Sequence, residues 1–238
     1  MFCVIRLKKI GSAAALICFL LAGFILLRSV SVYRVMQTAE LAANPPVLVI
    51  DPGHGGFDGG AIAVNGARES DINLAIALKL EALAAFCGSS TVMTRNDDSR
   101  KTDLLSYSEH EDLVYRAQVA NQIPDAVLVS IHQNYYPTTQ PCGAQVLYAS
   151  DAQSARRGKL VQANLVSFLQ PENRRLAEPA PKKLFLTSNV DCPAILVECG
   201  FLSNYNEMEK LTQDGYQTAL AAVLMASYLQ FLPEMDQI

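Results

Sequence analysis

VLVIDPGHGGFDGG, Val47 to Gly60, decides the fold. Four apolar residues run without interruption into Asp51-Pro52-Gly53-His54, and then into more glycines. An uninterrupted apolar run of this length, stopped by turn residues, reads as a strand buried on both faces. Such strands belong to sheets covered by helices, where ligands collect beyond the carboxyl ends. A single histidine in a glycine-rich loop at that end therefore has a functional reading. The glycines remove side chains that would block a ligand or a metal. The alternative is a loop histidine that hydrogen-bonds locally.

The pattern repeats outward from this stretch. Strand-like runs follow at Ser90–Arg95, Ala126–Asn134 (AVLVSIHQN), Ala144–Ala149, Leu184–Ser188 (LFLTS) and Ala194–Gly200 (AILVECG). Helix-like runs fall at Asp71–Phe86, Glu111–Gln122, Ala152–Leu169 and Tyr216–Leu232. Asp98–Glu109 and the Pro- and charge-rich Pro171–Lys183 read as loops. Strands alternating with helices imply an α/β fold: a single domain with a mostly parallel twisted sheet flanked by helices. There is no internal repeat.

Met1–Thr38 differs from the rest. It carries Arg6, Lys8, Lys9, Arg28 and Arg34 and no acid, and Gly11–Leu27 is uncharged throughout. As a helix that stretch would span about 25 Å, just short of a bilayer's hydrocarbon core. Its basic flank favours an N-terminus inside and a body outside. The expected layout is a signal-anchor or transmembrane segment at 1–38, a linker at 39–46 and one catalytic domain at 47–238. The expected location is extracytoplasmic, with the membrane as a partner through the N-terminal segment. Beyond residue 38 the chain keeps 14 of its 19 basic residues against 23 acidic ones, a net of −9. So acidic a body excludes a nucleic-acid partner. Cys87, Cys142, Cys192 and Cys199 could pair outside the cytoplasm, or could serve as small apolar core residues. No CxxC spacing points to a structural zinc knuckle.

Three apolar strands each end in one side chain that handles metals or protons: His54, His132 and Glu198. Glu69 is a fourth candidate, just before a helix, where the helix dipole alone would also favour a carboxylate. His132 has an alternative as a satisfied core histidine. For Glu198 the alternative is weak, because a carboxylate in a buried apolar strand is costly unless paired, hydrogen-bonded or metal-bound. Two imidazoles, one carboxylate and a water make a catalytic zinc site, with the second glutamate as general base. Spacing does not fix which glutamate is ligand and which is base. A nucleotide loop is disfavoured, since GHGGFDGG is neither GxGxxG nor followed by GK[ST]. Asp51 reads either as a carboxylate orienting a ligand histidine or as turn chemistry. Asp58 reads as turn chemistry, Arg95 as one half of a structural ion pair, and His110 as a solvated loop residue.

VIDPGHGGFDGGA, GARESDINLAIAL, Thr94-Arg95, SIHQN and ILVECGFLSN, in this order, together resemble the zinc-dependent N-acetylmuramoyl-L-alanine amidases of the type-3 family. The resemblance covers nearly all of Val47 to Leu232. It implies that His54, Glu69 and His132 ligate Zn2+ and that Glu198 is the catalytic glutamate. It implies a peptidoglycan substrate, cut between the lactyl group of N-acetylmuramic acid and L-alanine. An anchor followed directly by a bare catalytic domain is similar to members that act on spore cortex in maturation or germination. Two departures stand out. Gln133 occupies a position where the family commonly has Ala, and ENRRLAEPAPKK (Glu172–Lys183) replaces an Asn-Arg-Gly segment followed by lysine. That loop is expected to border the substrate cleft. A non-catalytic peptidoglycan-binding module is the competing reading. Cys199 as a nucleophile beside His132 is disfavoured, since strand alternation turns it away from Glu198. An accessory protein that completes the site is left open.

Overall fold

The computed structural model describes residues 45–98 and 108–232. The expected membrane segment, nearly all of the linker and the centre of the polar run at 98–109 lie outside the described residues. Among the described residues no helix is long and apolar enough to cross a membrane.

Val47–Pro52 forms β1, and Leu48, Val49 and Ile50 are fully buried. The other strands are β2 (Thr91–Met93), β3 (Ala126–Asn134), β4 (Gln145–Tyr148), β5 (Glu178–Pro179) and β6 (Ala194–Phe201). They form one six-stranded sheet in the order β2-β1-β3-β6-β4-β5. β2, β1, β3 and β6 run parallel, β4 is antiparallel to β6, and β5 is parallel to β4. The expected mostly parallel sheet is therefore present, with one reversal at β4.

The helices are α1 (Glu69–Phe86), α2 (Glu109–Asn121), α3 (Ala152–Phe168), α4 (Phe185–Asn189), α5 (Tyr205–Leu211) and α6 (Asp214–Phe231). Ile72, Ile76 and Leu80 recur every fourth residue and form the buried stripe of α1. Glu69 and Asp71 sit in its first turn, where the dipole favours acids. Ser108 caps α2 by accepting from the Glu111 amide, and Asp151 caps α3 by accepting from the Ser154 amide. Side chains alternate along each strand, so the sheet presents two faces. The register partners Val49, Leu128 and Ala194 pack with Ala117 and Ala120 of α2 and Leu186 of α4. Gln133, one residue out of phase, meets Asn73 of α1 on the other face.

Leu184–Ser188 is not a strand. It lies largely in α4, where Thr187 Oγ1 donates to the Leu184 carbonyl and Asn189 Nδ2 to that of Phe185. Both edges of β6 are already taken by β3 and β4, so no ladder remains for this run. Helix α5 was not expected from the sequence, although Asn204 caps it through the Asn206 and Glu207 amides. β5 is a two-residue pairing inside the expected loop Pro171–Lys183.

Candidate metal centre and catalytic carboxylate

The carboxyl ends of β1, β3 and β6 deliver the site. In the parallel register His132 lies beside Glu198. After Pro52 the chain leaves the sheet through Gly53 and reaches His54 in the left-handed region, at φ 61°. That conformation costs a non-glycine residue about 1 kcal/mol or more and persists only where the surroundings hold it. Two buried guanidinium groups do so. Arg116 donates to the carbonyls of Pro52 and His54, and Arg95 to those of Pro52 and Gly53. Arg95 also donates to the carbonyls of Ser70 and Asp97, so among the described residues it ties backbone together.

The glycines of the opening stretch make room for the donor side chains. A Cβ on Gly53 would lie 2.2 Å from the His132 ring. A Cβ on Gly60, at φ 63°, would lie 2.6 Å from Glu69 Oε2 and 2.7 Å from His54 Cδ2. These positions are empty because donor side chains fill the space. The loop does not cradle a phosphate; it packs imidazoles.

Glu69, the first residue of α1, sits between the two histidines. Its Oε1 lies 3.0 Å from His132 Nδ1 and 3.3 Å from His54 Nε2. The histidine rings meet edge to face, with centroids 5.1 Å apart. One ligand atom from each of the three residues falls within 4.8 Å of the others. The carboxylate is fixed by amides as well: Ala61 N donates to Oε2 and Gln133 N to Oε1. Asn73 Nδ2 donates to Oε1, and Gln133 Nε2 in turn donates to Asn73 Oδ1. The unexpected Gln133 thus supports Glu69 from beneath the sheet.

Asp58 holds the far side of His54, with Oδ2 at 2.7 Å from Nδ1. This leaves Nε2 directed at Glu69 Oε1. A carboxylate on the second nitrogen is the usual support of a metal-ligating histidine. Burial works against a charge on His54, but the hydrogen bonds from Asp58 and Glu69 outweigh it and push the imidazole up to about 10. Burial also opposes the charge on Glu69, yet the two histidines hold its carboxyl far below the ordinary range. The cluster attracts positive charge, as a metal-ligand set must, and a divalent ion would compete with its protons. Two imidazole nitrogens and one carboxylate oxygen fit a catalytic zinc with three protein ligands.

Glu198 stands apart from this trio. Its Oε2 is enclosed and has no hydrogen-bond partner among the described residues. Burial pushes its carboxyl up to about 7, against the pull of His132 and His54. His54, His132 and Glu198 line a cavity of about 260 Å³, with Arg116, Lys183 and Leu184–Thr187 on its walls. A larger groove, about 790 Å³, lies at the opposite end of β6 around Asp151 and Cys192 and contains none of these donors.

Other expectations resolve differently. Asp51 neither orients a histidine nor shapes the turn; Thr94, Ser130 and Arg116 donate to its two oxygens. Burial opposes its charge, but Arg116, Ser130 and Thr94 bring the carboxyl down to about 2. Asp58 does shape the turn, accepting from the Gly60 amide through Oδ1, and its other oxygen holds the histidine. Cys199 is fully buried and its thiol is pushed up to about 12, which removes it as a nucleophile. Cys87, Cys142, Cys192 and Cys199 are all free. His110 lies on α2 instead of in a loop, exposed and edge-on to Phe185 at 5.1 Å.

The family model for N-acetylmuramoyl-L-alanine amidases of the Amidase_3 type matches residues 48–227. The chain belongs to this family. It is 30% identical over 230 residues to the germination-specific N-acetylmuramoyl-L-alanine amidase of Bacillus subtilis, covering 90% of this chain and 93% of that one. Among solved structures it is similar to the CwlD amidase from Clostridioides difficile in complex with the GerS lipoprotein. The identity there is 32%, the TM-score 0.74, and the coverage 80% of this chain and 100% of that one. It is likewise similar to the N-acetylmuramoyl-L-alanine amidase from Clostridium difficile 630, at 31% identity and TM-score 0.69, over 80% of this chain and 98% of that one. The amidase is thus an enzyme, which sets aside the binding-module reading.

Proposed function

We propose that this amidase hydrolyses the bond between the lactyl carbonyl of N-acetylmuramic acid and L-alanine, with Zn2+ held by His54, Glu69 and His132 and with Glu198 as the catalytic carboxylate. The observation that carries this reading is the convergence of those three donors beside a carboxyl oxygen with no hydrogen-bond partner among the described residues. A zinc ion bound there supplies a Lewis acid that polarises the scissile carbonyl and makes water a nucleophile near neutral pH. Glu198 removes the water's proton and delivers it to the amine that leaves with L-alanine. Burial favours the protonated form of this carboxyl, which suits it to take up a proton and pass it on. Glu69 is engaged by two imidazoles and three donors, so it cannot swing to accept that proton. Asp58 keeps His54 in the tautomer that presents Nε2. Arg116 and Arg95 hold the backbone that sets its position.

The domain layout supports work outside the cytoplasm: an anchor at 1–38, a linker at 39–46 and the catalytic domain at 47–238. The kinship to a germination-specific relative supports spore peptidoglycan as the substrate. The CwlD amidase was solved with a lipoprotein bound, which supports an accessory protein for this chain too.

The test uses the full chain, solubilised in detergent, with purified cortex peptidoglycan. Newly freed L-alanine amino groups are counted before and after chelation and zinc return. Release that stops with chelator and resumes with zinc is expected. Release unaffected by complete metal removal would overturn the zinc-dependent reading.

A further inference from the structure

The cleft does not end at Glu198. In the antiparallel pairing of β4 with β6, Gln145 is the register partner of Glu198. Register partners point to the same face, with Cβ atoms about 4.5–5.5 Å apart. Gln145 is in turn held by the loop that departs from the family pattern. Its Nε2 donates to the Leu176 carbonyl, and its Oε1 accepts from Arg175 Nη1 at 3.1 Å. Arg175 is fixed twice more: Nε donates to the Cys142 carbonyl at 2.9 Å, and the guanidinium lies 4.6 Å over the Phe201 ring. These contacts pre-organise the group and leave its Nη2 without a partner among the described residues. No carboxylate among the described residues pairs with it, in a body whose net charge is −9. Gln145 and Arg175 lie outside the lining of the 260 Å³ cavity, Gln145 on the ladder next to its Glu198 edge and Arg175 in the loop that holds Gln145.

The cavity itself carries mixed charge: Arg116 is paired with Asp51 and Asp112, Asp58 with His54, and Glu109 and Lys183 both line it. Arg175 offers an anionic peptide chain a cation with an open edge. A half-buried, stacked guanidinium with an open edge is suited to a carboxylate.

We propose that Arg175, presented by Gln145 and Phe201, is a specificity-determining residue that binds a free carboxylate on the stem peptide, on the L-alanine side of the scissile bond. This rests on the amidase reading above for the position of the bond. The peptide then lies over β4 and the glycan toward α2.

The test compares muropeptides that carry D-glutamate or its amide, D-isoglutamine, at the second stem position. Wild-type protein is expected to favour the free acid. Arg175→Ala is expected to raise KM for the acid by about 10- to 100-fold, the worth of a hydrogen bond to a charged group, and to leave the amide unchanged. Arg175→Lys should restore part of the preference. Arg174→Ala, at an exposed neighbour paired with Glu172, should match wild type. Equal losses on both probes with a lower Tm would make Arg175 a structural tie and overturn the proposal, as would no loss on either. Calorimetric binding of both probes to Glu198→Gln reads the same preference without chemistry. If wild type without an accessory protein cuts neither probe, the binding difference alone decides Arg175: equal binding of acid and amide overturns the proposal.

Discussion

Two polar clusters share the carboxyl ends of β1 and β3, and they are built to opposite rules. Around Asp51 every group is saturated. Both carboxylate oxygens accept from Thr94, Ser130 and Arg116, and Asp112 takes the other side of Arg116. Three residues further along the chain, around His54, the groups converge on one another, and one oxygen beside them is left over. Glu69 faces two histidines at once, and Glu198 keeps an oxygen unpartnered among the described residues. The first cluster fixes where the backbone goes; the second is left able to bind and to move protons. The lesson is that burial of charge does not mark a reactive site. Asp51 is more buried than Glu69, yet it only holds strands and loop together.

The comparison breaks most sharply at the histidines. His54→Ala or His132→Ala should abolish both zinc binding and hydrolysis while the fold persists, as read by metal analysis and circular dichroism. Either variant with stoichiometric zinc would remove that histidine from the ligand set. Gly53→Ala should do nearly as much damage with no polar group lost, because its Cβ would displace the His132 ring. Asp51→Asn acts on the saturated cluster and should instead lower stability, by about 3 kcal/mol, since it leaves Arg116 short of a buried partner. Chemical denaturation checks this, and zinc stoichiometry in the folded fraction should not change. Asp58→Asn should weaken zinc about 10- to 100-fold without a comparable loss of stability. The smallest effect is that of pH. The Asp51 carboxyl lies at about 2 when folded against an ordinary 3.8. Its contribution, about 2 kcal/mol, is therefore present above pH 3.8 and is lost as pH falls through about 2. Acid titration of stability should show wild type and Asp51→Asn converging over that window.

Much of this arrangement was legible in the sequence because it depends on where apolar runs stop. The β1, β3 and β6 runs each end in a polar residue, and the parallel sheet aligns those ends. What stayed hidden depends on direction. Leu184–Ser188 is apolar enough for a strand but too short for periodicity to separate strand from helix. Glu69 and Glu198 were interchangeable on spacing, and only the turn of α1 toward the histidines separates them. Asp58 looks like any loop aspartate until His54 enters the left-handed region and brings Nδ1 to it. Arg116 gave a signal that was passed over: an arginine on the same helix face as the buried Ala117 and Ala120 needs buried partners.

The most direct test is bound zinc per chain in Glu69→Gln and Glu198→Gln, prepared side by side. Glu198→Gln should hold one equivalent and hydrolyse nothing, while Glu69→Gln should hold little. Zinc kept by Glu69→Gln and lost by Glu198→Gln would reverse the two roles and contradict the division between a ligand trio and a free carboxylate.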